Sequence, residues 1–298
     1  MTTTLPAPEQ VTVPVPYHRL AHTERHRWWR PLVGTLLVLA GAFAAALGPM
    51  IVAGIVGLSL GLPQDEYGWP VLGDELDLAV GLLGLGLVIP VVMLVARWTQ
   101  RRPGGTVSSV AGRLRWGWLG RCVLLAVPAV GLMYAVLFLL PGTGAEAVFV
   151  GWERFLFGVA VVAVLVPFQA AGEEYLFRGW LVQAFGSWTR SPWPGIVVSS
   201  VLFGLVHGYG TPWGMADLIF FGVVAAVLTV RTGGLEAAIV LHAVGNLAAL
   251  VTGAAIGALG SEETATDAPA LVAAVDMAMV AVYGVAVLWL RPQSLLSR

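Results

Sequence analysis

The segment Glu173-Glu174-Tyr175-Leu176-Phe177-Arg178 puts two carboxylates and a guanidinium inside apolar sequence, and the two histidines outside the N-terminal region, His207 and His242, also lie in apolar runs. Ionisable side chains in lipid-buried helices are expensive to desolvate, so each is a candidate for function. On a helix Glu174 and Arg178 stand four apart and share a face, which favours an ion pair that offsets part of their desolvation. Glu173 projects about 100° away and is left less neutralised. Burial favours the neutral form of a carboxyl group and an adjacent guanidinium the ionised form, so neighbouring carboxylates in unlike surroundings suit unlike tasks. Glu173 is the candidate general base acting on water, and Glu174 its positioning partner. The bland alternative is an interhelical charge network without chemistry.

Two later segments weigh against that alternative. In Phe203-Gly204-Leu205-Val206-His207 an aromatic ring and an imidazole stand four apart on one helical face, and His242-Ala243-Val244-Gly245-Asn246 repeats the spacing with a carboxamide in second place. Three helices can therefore aim carboxylate, imidazole and carboxamide at one point, the components of proton transfer and oxyanion stabilisation. A lone membrane histidine is usually an interhelical hydrogen bonder. Two of them, each with a patterned neighbour and joined by a diglutamate, are harder to dismiss.

The elements that must position these residues are membrane helices. Of 298 residues 58% are hydrophobic and 11% charged, with a mean hydropathy of +0.83, against roughly 25% charged residues in soluble domains. The net charge of −1 gives no reason to expect nucleic acid as a partner, and the sixteen basic residues are all arginine. Apolar runs occur at 32–60, 76–97, 120–140, 152–172, 195–209, 214–230, 235–257 and 269–290, near the length of about 20 residues that a span needs. The fold class expected is therefore all-α and polytopic, with about eight transmembrane helices. The first run is longer than a signal-peptide core and is read as a retained span. Residues 1–31 read as a disordered basic tail, 32–290 as a single transmembrane domain with its working core at about 150–257, and 291–298 as a second tail.

Charge alternates between the connections. Arg97, Arg101, Arg102, Arg113, Arg115, Arg121, Arg190, Arg231, Arg291 and Arg298 fall on one side, and Asp65, Glu66, Asp74, Glu75, Glu146, Glu262, Glu263 and Asp267 on the other. The positive-inside rule then makes both termini cytoplasmic. Within the first basic loop Val107, Val110, Leu114 and Trp118 recur at helical spacing, with Thr106 or Ser108 available as a cap, which predicts a cytoplasmic interfacial helix over 106–118.

Near the diglutamate, Pro167 removes a backbone donor and tends to kink its helix, and Gly172 lets another backbone or a substrate approach closely. Counting 1.5 Å per residue puts Glu173 roughly 30 Å beyond Trp152, His242 about 10 Å inside its span and His207 roughly 18 Å from Gly195. Tilt or a funnel must reconcile the three, and a polar cavity open to the cytoplasm is expected. Other residues receive plain readings: Cys122 as a small buried hydrophobe, Trp28, Trp29, Trp116 and Trp118 as interfacial anchors, Asp217 and Asp276 as helix-end or interhelical contacts, and Gly233-Gly234 as a turn.

Taken together, these motifs resemble the type II CAAX prenyl proteases and bacteriocin-processing enzymes, the CPBP intramembrane proteases. Their pattern is Glu-Glu-x-x-x-Arg, Phe-x-x-x-His and His-x-x-x-Asn or Asp on successive helices, matched here by Glu173, Glu174 and Arg178, by Phe203 and His207, and by His242 and Asn246. The resemblance covers about 165–250. It implies an eight-span endopeptidase cutting near the membrane surface, with Glu173 activating water with help from His207, and with His242 and Asn246 steadying the oxyanion. Zinc is the one cofactor to consider, through Glu173, His207 and His242, one carboxylate and two imidazoles. Using Glu173 as a ligand would take away its role as base, and His-Glu-x-x-His is missing, so a metal-free route is favoured. Expected partners are the bilayer and a peptide or protein substrate, lipid-modified or membrane-anchored, in a bacterial plasma membrane. A proton-coupled transporter is the alternative class, although residues 32–140 contain no echo of the motifs. An inactive immunity or scaffold protein of the same fold is the other.

Overall fold

The computed structural model describes residues 15–140, 148–261 and 264–291. Residues 1–14 of the expected tail, 292–298 of the second, and the loop charges Glu146, Glu262, Glu263 and Arg298 lie outside the described residues. The helices are α1 (Arg30–Ser59), α2 (Asp74–Gly86), α3 (Val88–Thr99), α4 (Trp116–Leu139), α5 (Trp152–Glu174), α6 (Val182–Trp188), α7 (Trp193–Leu205), α8 (Pro212–Thr232), α9 (Glu236–Ile256) and α10 (Ala270–Leu290). A π-helical stretch, Tyr175–Leu181, joins α5 to α6. Among the described residues no strand forms, and seven helical stretches are long and apolar enough to cross a membrane. Their outer faces are apolar, as lipid contact requires: Leu124 is 74% exposed and Phe138 86%. The chain is an integral membrane protein of all-α architecture.

The expected span at 195–209 is shorter than the rest. α7 holds 13 residues, about 20 Å at 1.5 Å per residue, against a hydrocarbon core of about 30 Å. The backbone leaves the helix before His207 and turns at Gly208, whose φ of +88° favours glycine. The fourth expected span is longer: from Trp152 the helix passes Pro167 and the diglutamate and continues to Trp188, 37 residues in all.

Small residues and ion pairs set α5 in place. A Cβ on Gly172 would lie 2.0 Å from the Leu85 carbonyl oxygen, so the glycine admits the backbone at the α2–α3 junction directly beside Glu173. At the acidic end Arg154 pairs with Asp74 and Glu75, both at 2.6 Å. At the basic end the fully buried Glu236 takes Arg115 in a two-pronged pair, Nη2–Oε2 2.7 Å and Nε–Oε1 2.8 Å, which fixes the start of α9 six residues before His242. Gly233 ends α8 in a left-handed conformation, so the diglycine is the expected turn.

The interfacial helix expected over 106–118 is not formed. A single 3-10 turn, Gly104–Val107, is followed by irregular chain up to Trp116. A Cβ on Gly105 would sit 1.9 Å from the Gly112 carbonyl oxygen, showing that the segment folds back on itself. Its backbone groups serve the α8–α9 turn instead: Val110 N–H donates to Gly233 at 2.8 Å and Leu235 N–H to Ser108 at 2.9 Å. Helical spacing of apolar side chains was overridden by glycine and by these outside partners.

The described part of the tail is likewise ordered. His18 Nε2–H donates to the Arg190 carbonyl (2.9 Å), Arg19 Nη1 to Gly186 (2.7 Å) and Thr189 (3.0 Å), and His22 Nδ1–H to Ser187 (2.8 Å). These carbonyls belong to the last turn of α6 and the two residues just after it, where a helix leaves acceptors unsatisfied, so the basic residues act as a strap across that helix end. Tyr17 is buried and its hydroxyl donates to the Val107 carbonyl.

Two outcomes are expected. Burial, the largest cause, holds the His18 pKa below its ordinary 6.5, so its contribution is present above that value and lost on acidification. Amide exchange at residues 17–22 should be faster at about pH 5 than at about pH 7 after correction for intrinsic rates, with a smaller difference in His18→Gln. Gly172→Ala should lower stability by about 1–3 kcal/mol through overpacking, measured by unfolding in detergent, whereas Gly81→Ala, with nothing within 4 Å of the new methyl, should not.

Candidate active site

α5, the π stretch and α9 bring polar side chains to one place, and α7 and α8 add aromatic rings beside them. Glu174 is fully buried, and its Oε1 accepts from Arg178 Nη1 at 2.9 Å and from His242 Nδ1–H at 2.8 Å. Arg178 is equally buried, with its guanidinium carbon 4.2 Å from the Phe203 ring centre, 5.3 Å from that of Phe221 and 5.9 Å from that of Phe177. The cation thus has one carboxylate and three aromatic faces or edges for company, an arrangement that lowers the cost of desolvating it.

Glu173 occupies the other side of the imidazole. Its Oε1 accepts from Gln169 Nε2 at 2.6 Å. Its Oε2 faces His242 Nε2 across 3.7 Å, too far for a hydrogen bond, and is buried without a hydrogen-bond partner. Asn246 Nδ2 donates to Gln169 Oε1 at 3.1 Å. The Phe203 ring packs against His207 at 4.7 Å and edge-on against His242 at 5.7 Å. His207 donates from Nδ1–H to the Phe203 carbonyl at 2.7 Å, which fixes its tautomer and leaves Nε2 with a free lone pair. His207 and Asn246 are half-buried and form the open margin of the site.

The expected residues therefore separate into a tight group and a margin. Glu173, Glu174, Arg178 and His242 are in direct proximity; Asn246 is tied to them through Gln169, and His207 through the Phe203 ring. The zinc shell of Glu173, His207 and His242 is not assembled: among the described residues no three His, Cys, Asp or Glu side chains gather closely enough to hold a metal ion. Asp217 on α8 and Asp276 on α10 lie close enough to interact, the interhelical contact expected of them.

Gln169 and Phe221 complete the site without having been singled out in the sequence. Gln169 had a readable signal, since it is a polar residue inside a span four positions before Glu173. Phe221 had none: it is one apolar residue among many in α8, and its role in closing the aromatic cage appears only when the helices pack.

With this geometry established, comparison with known proteins gives it a family. Residues 152–248 match the family described as type II CAAX prenyl endopeptidase Rce1-like. The uncharacterized protein YyaK of Bacillus subtilis (strain 168) is 30% identical over 223 residues, 70% of this chain and 72% of its own. An uncharacterized 24.3 kDa protein of Escherichia coli is 34% identical over 85 residues, 27% of this chain and 37% of its own. No solved structure matches. The matched region starts where α5 starts and runs past Asn246, so it contains every member of the cluster, and the chain belongs to the Rce1-like family of type II CAAX prenyl endopeptidases, with that family's intramembrane-protease fold.

Proposed function

We propose that the protein is an intramembrane endopeptidase in which Glu173 activates a water molecule for attack on a peptide carbonyl. The observation that carries this reading is the unpartnered Glu173 Oε2 facing His242 Nε2 across 3.7 Å. A water to one side of that gap lies within about 2.8 Å of both atoms, in hydrogen-bond range.

In the reaction Glu173 takes a proton as the water oxygen bonds to the carbonyl carbon. The oxygen that becomes negative accepts from His242 Nε2–H and from the second N–H of Asn246, the first being spent on Gln169. Glu173 then returns its proton to the leaving amine as the C–N bond breaks. His207, with its free Nε2 at the open margin, assists the water. Arg178 and Glu174 hold His242 and do not touch the substrate. The arginine-rich end faces the cytoplasm, and both chain ends lie there. His242 sits six residues from the start of α9, about 9 Å deep, so a polar passage from the cytoplasmic side serves the site. The substrate is a peptide or protein held at or in the membrane.

Glu173→Gln keeps the shape and the Gln169 contact while removing the base. Membranes from cells carrying this variant should lack peptide fragments that wild type releases, with turnover down about 10²–10⁴-fold; identical fragment profiles would overturn the enzymatic reading. Arg178→Leu should instead cost about 3–5 kcal/mol of stability by stranding Glu174, read as a lowered unfolding temperature in detergent.

A further inference from the structure

We infer that Gln169 is a positioning residue that sets which end of the Asn246 carboxamide faces the reacting carbonyl. This rests on the reading of Glu173 as base and Asn246 as oxyanion donor. The argument begins with the hydrogen-bonding capacity of each group. An ionised carboxylate only accepts, so the Gln169 amide must turn its NH₂ toward Glu173 Oε1, at 2.6 Å. Its carbonyl oxygen then points the other way and must receive a donor. Asn246 supplies one from Nδ2 at 3.1 Å.

The polarity of two amides in series is thus dictated by the charge on Glu173. A carboxamide is nearly symmetric in shape, and nothing steric distinguishes its two ends. Without Gln169, Asn246 could rotate and present its oxygen to a developing oxyanion, exchanging attraction for repulsion. With Gln169 in place, one N–H is spent on the relay and the other stays beside it, available to the site. Gln169 is 5% exposed, so water has little access to replace its bonds. Its position supports the same role. It lies one helical turn before Glu173 on α5, as Asn246 lies one turn after His242 on α9, so the bridge spans the two helices that carry base and donor at matching heights.

The test uses the purified full chain in detergent and a quenched fluorescent peptide copied from a fragment junction found in the Glu173→Gln membrane comparison. Gln169→Leu removes both hydrogen bonds at similar volume. It should lower kcat about 10–100-fold, the scale of loss for a misplaced catalytic group, with KM little changed. Asn246→Ala should lower kcat on its own, and the double variant should fall well short of the product of the two losses, because both act on the same donor. A role confined to holding the helices together would multiply the losses instead, and that result, or a wild-type kcat for Gln169→Leu, overturns the inference. Should Gln169→Leu fail to fold, Gln169→Met, unbranched, without a donor and with only a weakly accepting sulfur, takes its place in the same cycle. Fragment release unaffected by Glu173→Gln would remove the enzymatic reading and this inference together; release lost in Glu173→Gln with normal kcat in the Gln169 variant would remove the inference alone.

Discussion

A carboxylate with no exposure to water must find its counter-charge inside the protein, and Glu174 finds it at one oxygen, from Arg178 and from the Nδ1–H of His242. In a low-dielectric interior neither cation nor anion can be left alone without a large penalty. That requirement ties α5 to the π stretch through Arg178 and to α9 through His242. It also turns the imidazole, because once Nδ1–H points at Glu174 the opposite nitrogen can only point toward Glu173. The aromatic rings of Phe177, Phe203 and Phe221 then close over the guanidinium, bringing α7 and α8 into the same arrangement.

The remaining framework keeps those helices at the right height. Arg115 and Glu236 pin the start of α9, Arg154 pins the start of α5 to α2, and the close backbone contact at Gly172 leaves α5 no freedom to slide past the α2–α3 junction. Around these points the apolar side chains pack without direction. The ion pairs and glycines provide what lipid and leucine cannot, a register. Glu173, Glu174 and Arg178 each keep a buried polar atom without a hydrogen-bond partner in the protein, which is consistent with the proposed reading of the cluster as a site that takes up another molecule.

Much of this was legible beforehand for a physical reason. Charged residues in membrane helices are so costly that their presence marks the site, and a spacing of four marks the shared face; Glu174–Arg178 and the convergence of the diglutamate with His242 follow from those two rules. Depth was less legible. The count of 1.5 Å per residue assumed that the fourth span ends near Glu173, whereas the helix runs on to Trp188. The segment 106–118 misled because its apolar period is helical while the chain folds back at Gly112 and its backbone groups bond outside it. The strap formed by His18, Arg19 and His22 was hidden because its partners are backbone carbonyls, which carry no signature in the side-chain alphabet. Gln169 was overlooked for a different reason: a neutral amide costs less to bury than a charge and so stands out less.

The π-helical stretch confines the effect of a one-residue change in length. Each residue in a regular helix advances the face by about 100°, and a π turn accommodates one residue more than an α turn does. Loss of a single residue between Tyr175 and Leu181 would let the helix relax to ordinary geometry without leaving a gap. The helices on either side would keep their azimuth, and the change would fall on side chains within the stretch, among them Trp180, whose ring N–H donates to Thr35 at 3.0 Å. The extra residue of the π turn thus sets the directions of Arg178 and Trp180 alone, and its loss would re-index those buried side chains while leaving the two halves of the long helix in register.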